Sequence, residues 1–164
     1  MASSFPAYVA QNYEAGTSVV EATPDSAGTG ATGIRPGSLV FFDTATQLLK
    51  ICGANPALIM GISEVECDSA RVRYTAQSLT PNGMVPVRIL SPSAIVAMCS
   101  PTTPAVTHLF NATGHPVVNT SGIWSVDPTS TSNPRVQVVE IDITNGIFYV
   151  RFLAANLQGD AIAS

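Results

Sequence analysis

The alternation of apolar and polar residues is clearest from Val136 to Leu153, and it is interrupted once, at Asn145-Gly146. Both residues of that dipeptide tolerate positive φ, which suits the type I′ turn of a two-residue hairpin. With Thr144 opposite Ile147, Ile143 pairs with Phe148, Ile141 with Val150 and Val139 with Phe152 on one face. Asp142 then faces Tyr149 and Glu140 faces Arg151 on the other. The spacing predicts one apolar face and one charge-matched face, and a slip of one residue would expose all six apolar side chains. An isolated hairpin is marginal in water, so a second sheet is expected over the apolar side.

The same reading places further strands upstream. Thr17 to Ala22 predicts a short strand. Ser38 to Phe42 and Gln47 to Cys52 flank the four-residue connection Asp43 to Thr46, a second hairpin. Ala57 to Ser63 follows, with Gly61 marking a bulge or a close approach. Glu64 to Tyr74 places carboxylates at Glu64, Glu66 and Asp68 on alternate positions. Calcium takes such oxygen ligands, but a turn at Ser69-Ala70 would set Asp68 against Arg71 and Glu66 against Arg73, a charge-paired hairpin that needs no metal. Met84 to Leu90 and Ala94 to Met98 are strands, the first expected at a sheet edge because Pro86 cannot donate to a ladder.

Two stretches break the pattern. Residues 1 to 16 hold Phe5, Tyr8, Val9 and Tyr13 without clear periodicity and are expected to form an N-terminal arm that docks on its own domain or a neighbour. Residues 100 to 135 carry five prolines among many Thr, Ser and Asn, and predict a loop-rich excursion with short strands at His115 to Val118 and Gly122 to Val126. Trp124, the only tryptophan, suits an interface anchor or a core plug equally. The expectation is a single β domain over 17 to 158, with 159 to 164 a frayed tail: a small β-barrel or β-sandwich of antiparallel hairpins.

Charged residues make up 11% of the chain, well below the usual ~25%, and the formal net charge is −4 with seven scattered basic residues. A nucleic-acid footprint needs clustered Lys and Arg, so no nucleic-acid partner is expected. No basic region leads into an apolar run at the N-terminus, and no stretch approaches the ~18 apolar residues of a membrane span; folding in a cytosol, away from membranes, is expected. The sequons at Asn111 and Asn119 would then go unmodified. Cys52, Cys67 and Cys99 are too widely spaced for a zinc site and odd in number, and read as small buried hydrophobes.

Chemistry is sparse. Gly28-x-Gly30-x-x-Gly33 matches the letters of a dinucleotide turn, yet Pro36-Gly37 would break any helix opening there, and the motif works only at a helix N-terminus. His108 and His115 lie seven apart with no carboxylate or cysteine at ligand spacing. No Gly-x-Ser-x-Gly elbow occurs. The expectation is a binding protein and not an enzyme, with no catalytic, cofactor-binding or metal residues.

Pro36-Gly37, Leu39-Val40, Asn55-Pro56-Ala57 and Gly61-Ile62 follow one another in an order that resembles bacteriophage head-decoration, or capsid cement, proteins. The shared layout covers about thirty residues. The resemblance implies a homotrimeric β protein on the outside of an assembled head, stabilising the capsid by clamping neighbouring major capsid protein subunits. In that setting Phe5, Tyr8 and Tyr13 of the arm, with Trp124, are the expected partner-binding residues, and multivalency sums weak contacts. The alternative is a carbohydrate- or receptor-binding β-sandwich of a virion fibre or spike, with the 100–135 loops as the recognition surface.

Overall fold

A computed structural model describes residues 7–11, 19–22, 34–64, 85–120 and 122–158. The protein is all-β, two sheets facing each other in a sandwich-like arrangement that is not closed into a barrel. Within the described residues the strands are β1 (Tyr8–Gln11), β2 (Val19–Ala22), β3 (Leu39–Asp43), β4 (Leu48–Ile51), β5 (Gly61–Ser63), β6 (Val85–Ile89), β7 (Ile95–Cys99), β8 (Val117–Thr120), β9 (Ile123–Val126), β10 (Val136–Asp142) and β11 (Ile147–Phe152). One sheet runs β10-β11-β7-β9-β8 with β1 also on β7; the other runs β2-β6-β5-β3-β4. The dinucleotide-like glycines, the carboxylates Glu66 and Asp68, Cys67, the aromatics Phe5 and Tyr13, and residues 159–164 lie outside the described residues.

The core between the sheets takes Leu39 and Ile62 from one and Val96, Met98, Trp124, Phe148 and Val150 from the other. Alternation then sends Val40, Leu49, Val85 and Val87 to the opposite face of the second sheet, where they bury a separate cluster with Ile34. All five residues of β7 are buried, as befits a strand with neighbours on both sides. The one parallel pairing between the named strands, Cys99 against Ser125, joins β7 to β9.

The C-terminal hairpin forms where expected but in a different register. Asp142 lies opposite Ile147, Ile141 opposite Phe148 and Glu140 opposite Tyr149, which leaves a four-residue loop, 143–146, instead of a two-residue turn. The cause is local. Asp142 Oδ1 accepts the Asn145 amide at 2.9 Å and its Oδ2 accepts the Asn145 side-chain amide at 2.7 Å, so Asn145 is held in the loop and only Gly146 takes positive φ, 70°. A second shift, between Val138 and Glu140, is a β-bulge that changes which residues face inward. Phe148, Val150 and Phe152 are buried as predicted, but β10 contributes Val136 and Val138 in place of Val139, while Ile143 sits in the loop, 48% exposed. Arg151 pairs with Gln137, so the Glu140–Arg151 cross-strand pair does not form in register.

Pro86 also corrects the sequence reading, because β6 lies inside its sheet, between β2 and β5. The Pro86 carbonyl accepts from the Glu64 amide at 3.0 Å, just past the end of β5 at Ser63. A strand residue's N–H and C=O point the same way, so the missing donor falls on the side where β5 stops and no bond to β2 is lost. Gly61 behaves as expected: a Cβ there would stand 2.3 Å from the Arg88 carbonyl oxygen and 2.7 Å from Val87 Cγ1. Because β5 is short, β3 outruns it, and Gln158 fills the gap; its side-chain amide accepts from Phe42 N at 2.8 Å and donates to Phe42 O at 2.5 Å.

Candidate interaction surface on the 100–115 segment

The excursion after β7 is less irregular than its prolines imply. It holds β8 and β9 as predicted, together with a 3-10 turn at Val106–His108. Its first part is pinned at both ends. Ser100 N donates to Gly146 O at 3.2 Å, and Ser100 Oγ donates to Thr102 O at 2.5 Å. Further on, Phe110 N donates to Val138 O at 2.9 Å and His115 N to Val136 O at 2.8 Å, while Val136 N returns to His115 O at 3.1 Å. The segment therefore covers part of the outer edge of β10, the terminal strand of its sheet, which would otherwise offer unpaired groups to another chain. Gly114 makes the close approach possible: its φ is 69° and a Cβ would meet Val136 O at 2.6 Å.

Two large apolar side chains stand out from this segment, Val106 at 68% and Phe110 at 64% exposed, whereas Leu109 between them packs on the core. Phe110 has φ of 50°, a backbone region unfavourable to a bulky residue. Its amide is nonetheless bonded to β10, so the main-chain contact holds a conformation that raises the ring into solvent. The Asn111 side chain accepts from Thr113 N at 3.1 Å and Thr113 Oγ1 at 2.8 Å, closing the following turn.

The base beneath is rigidified across the sandwich by Asn55, itself at φ 47°. Its Oδ1 accepts from Val117 N at 3.3 Å and its Nδ2 donates to Asn133 O at 3.0 Å. His108 and His115 meet edge to face, centroids 6.2 Å apart, and His108 also meets Phe148 edge-on at 5.6 Å. Burial, then the neighbouring His115, holds the His108 ring below its ordinary pKa.

The sequence-predicted contact residues fare unevenly. Trp124 is 1% exposed, with its Nε1 among the buried polar atoms that lack a partner, so it plugs the core and presents no surface. Tyr8 lies on β1, in register with Ala97 of β7, so this part of the arm is a strand of its own chain's sheet. Val106 and Phe110 lack periodicity; three large apolar residues, Val106, Leu109 and Phe110, between Pro104 and Gly114 are the available signal, and nothing in the sequence says which of them faces the core. No family model, no curated protein and no solved structure matches the chain. Among the described residues no group of three His, Cys, Asp or Glu is placed to hold a metal ion. Cys52 and Cys99 are buried, and burial pushes the Cys52 thiol far up. No helix among the described residues is long and apolar enough to cross a membrane.

Proposed function

We propose that this chain is a structural virion protein that binds the outside of an assembled phage head, as a homotrimer, and stabilises it by clamping neighbouring major capsid protein subunits. The observation that carries the reading is the pinned segment: two apolar side chains, Val106 and Phe110, held in water by main-chain bonds to a β-sandwich. Exposed apolar groups on a fixed loop bind a partner surface at small entropic cost, because the loop is already ordered. The layout around Pro36-Gly37 and Asn55-Pro56 supplies the family expectation, and Asn55 ties that region to the base of the segment.

The test is co-sedimentation with undecorated, expanded heads. Wild-type protein is expected to saturate at a copy number matched to a lattice symmetry. The double substitution Val106→Ser, Phe110→Ser is expected to weaken binding at least about tenfold while leaving the thermal midpoint nearly unchanged, as exposed positions permit. Failure of the wild type to sediment with heads would move the assignment to a carbohydrate- or receptor-binding domain. A glycan array would then be the next measurement, with Phe110 in place of Trp124 as the stacking ring.

A further inference from the structure

The two histidines of the pinned segment play different hydrogen-bonding roles, and that of His108 requires a neutral ring. His108 donates its backbone N–H to Ala105 O at 2.9 Å, while its Nδ1 accepts from Ala105 N–H at 3.1 Å. This reciprocal pair closes the 3-10 turn. An accepting Nδ1 has to carry a lone pair, and a proton there would set two donors against each other. His115, 1% exposed, reaches Ser130 O with Nδ1 at 3.0 Å; a carbonyl only accepts, so Nδ1 bears the hydrogen. Its Nε2 is buried without a partner.

The elements around the pair offer no compensating charge. Asp127 accepts from Thr129 N and Oγ1 at 3.0 and 2.6 Å, and Asp142 is engaged by Asn145. Arg135 Nε donates to Asn55 O at 3.5 Å and its Nη1 to Pro134 O at 3.4 Å. Glu140 on β10 and Arg151 on β11 are exposed, and β8 carries no ionisable residue. Among the described residues, no carboxylate is bonded to either imidazole.

We infer that His108, packed against His115, forms an acid-sensitive latch, which holds the segment around residues 101–114 against β10 while the His108 ring is neutral and releases it when that ring is protonated. The direction follows from linkage. A ring that titrates lower when pinned than its ordinary 6.5 binds its proton more readily in the released segment, so the hold is complete above that pH and weakens as pH falls below it. The ladders of the sandwich are expected to hold, because the hydrogen bonds of the latch go to the 3-10 turn, Ser130 and the β10 edge, and its contact with Phe148 is through the rings alone. Acid would thus unseat Val106 and Phe110 without unfolding the domain.

The experiment is native-state amide exchange on the full chain, corrected for the intrinsic pH dependence, at about pH 7.5 and about pH 5. Protection of the Phe110 and His115 amides is expected to fall about tenfold for each pH unit by which pinning lowers the ring's titration. The Val96 and Phe148 amides and Trp124 fluorescence are expected to hold. His108→Asn keeps an acceptor where Nδ1 stands but cannot titrate in this range, and is expected to abolish the acid loss. An unchanged loss in that variant, or simultaneous loss at Val96 and Phe148, would overturn the latch. So would ring nitrogen shifts of the wild type showing His108 protonated while the Phe110 amide stays protected, a readout that needs no variant.

Discussion

The hairpins β3–β4 and β10–β11 have the same loop and different legibility. In each, an Asp closes the first strand opposite the residue that opens the second, Asp43 with Leu48 and Asp142 with Ile147, and four residues lie between. In each, the Asp Oδ1 accepts a loop amide, from Ala45 at 2.9 Å or Asn145 at 2.9 Å. The fourth loop residue has positive φ in both, 57° at Gln47 and 70° at Gly146. The first loop has the four-residue length its sequence predicts, displaced by one residue; the second departs from the two-residue turn that Asn-Gly strongly signals. An Asp ahead of the turn competes for the Asn amide, and here the Asp decides. The strand partners also differ. β4 is a sheet edge, whereas β11 lies between β10 and β7.

That difference orders the consequences of substitution. The equivalent second-strand positions Leu49 and Phe148 are both fully buried, in separate clusters. Phe148→Ala is expected to cost ~3–5 kcal/mol in chemical denaturation, and Leu49→Ala ~2–5 kcal/mol. A loss near zero at Phe148 would mean that β11 is not the inner strand described. Next in size are the loop ends. Gly146→Ala is expected to destabilise by about 1 kcal/mol, and Gln47→Gly to stabilise by up to about 1 kcal/mol, since only glycine occupies this φ without strain. Opposite signs at equivalent positions would establish that the loops are the same.

The two Asp residues extend the comparison to pH. The Lys50 ammonium, 2.6 Å from Asp43 Oδ2, and the Ala45 amide hold the Asp43 carboxyl down at about 2, and bonds from Asn145 lower Asp142. A carboxyl depressed on folding stabilises above its ordinary 3.8 and loses that contribution as pH falls through its folded value. The first hairpin should therefore loosen between about pH 4 and 2 and the second as pH falls below 3.8, both modestly, because each carboxyl keeps part of its surface in water. Melting midpoints of Asp43→Asn should show less acid dependence than the wild type across that range. The smallest effect is the sharpest test of register: Ile143→Ser is expected to change stability by less than ~0.5 kcal/mol, because Ile143 stands in the loop. Under a two-residue turn the same change would remove a core side chain.

What the chain made legible was local. Strands β3, β4 and β6 to β11 fall within a residue or two of where alternation and turn residues place them, since those signals come from near neighbours. Sheet order was not legible, because β7 collects β11, β9 and β1 through contacts far apart in sequence. The bulge at Val139 was hidden too, since both of its neighbours are as apolar or polar as an unbroken strand would have. Trp124 was half legible: its alternation with Ile123 and Ser125 allowed either face, and burial followed from the opposing sheet. Val106 and Phe110 carry no periodic signal at all.

Gln158 gives the C-terminal boundary a practical meaning. Its side chain takes both main-chain groups of Phe42, doing for one residue what a longer β5 would have done. Affinity handles and fluorophores are therefore best joined beyond residue 158. A protease that clips between Asn156 and Gln158 would bare a donor and an acceptor on β3 and leave a sticky point for a foreign peptide. Storage of the purified protein free of carboxypeptidase is, for this fold, a matter of keeping a sheet whole.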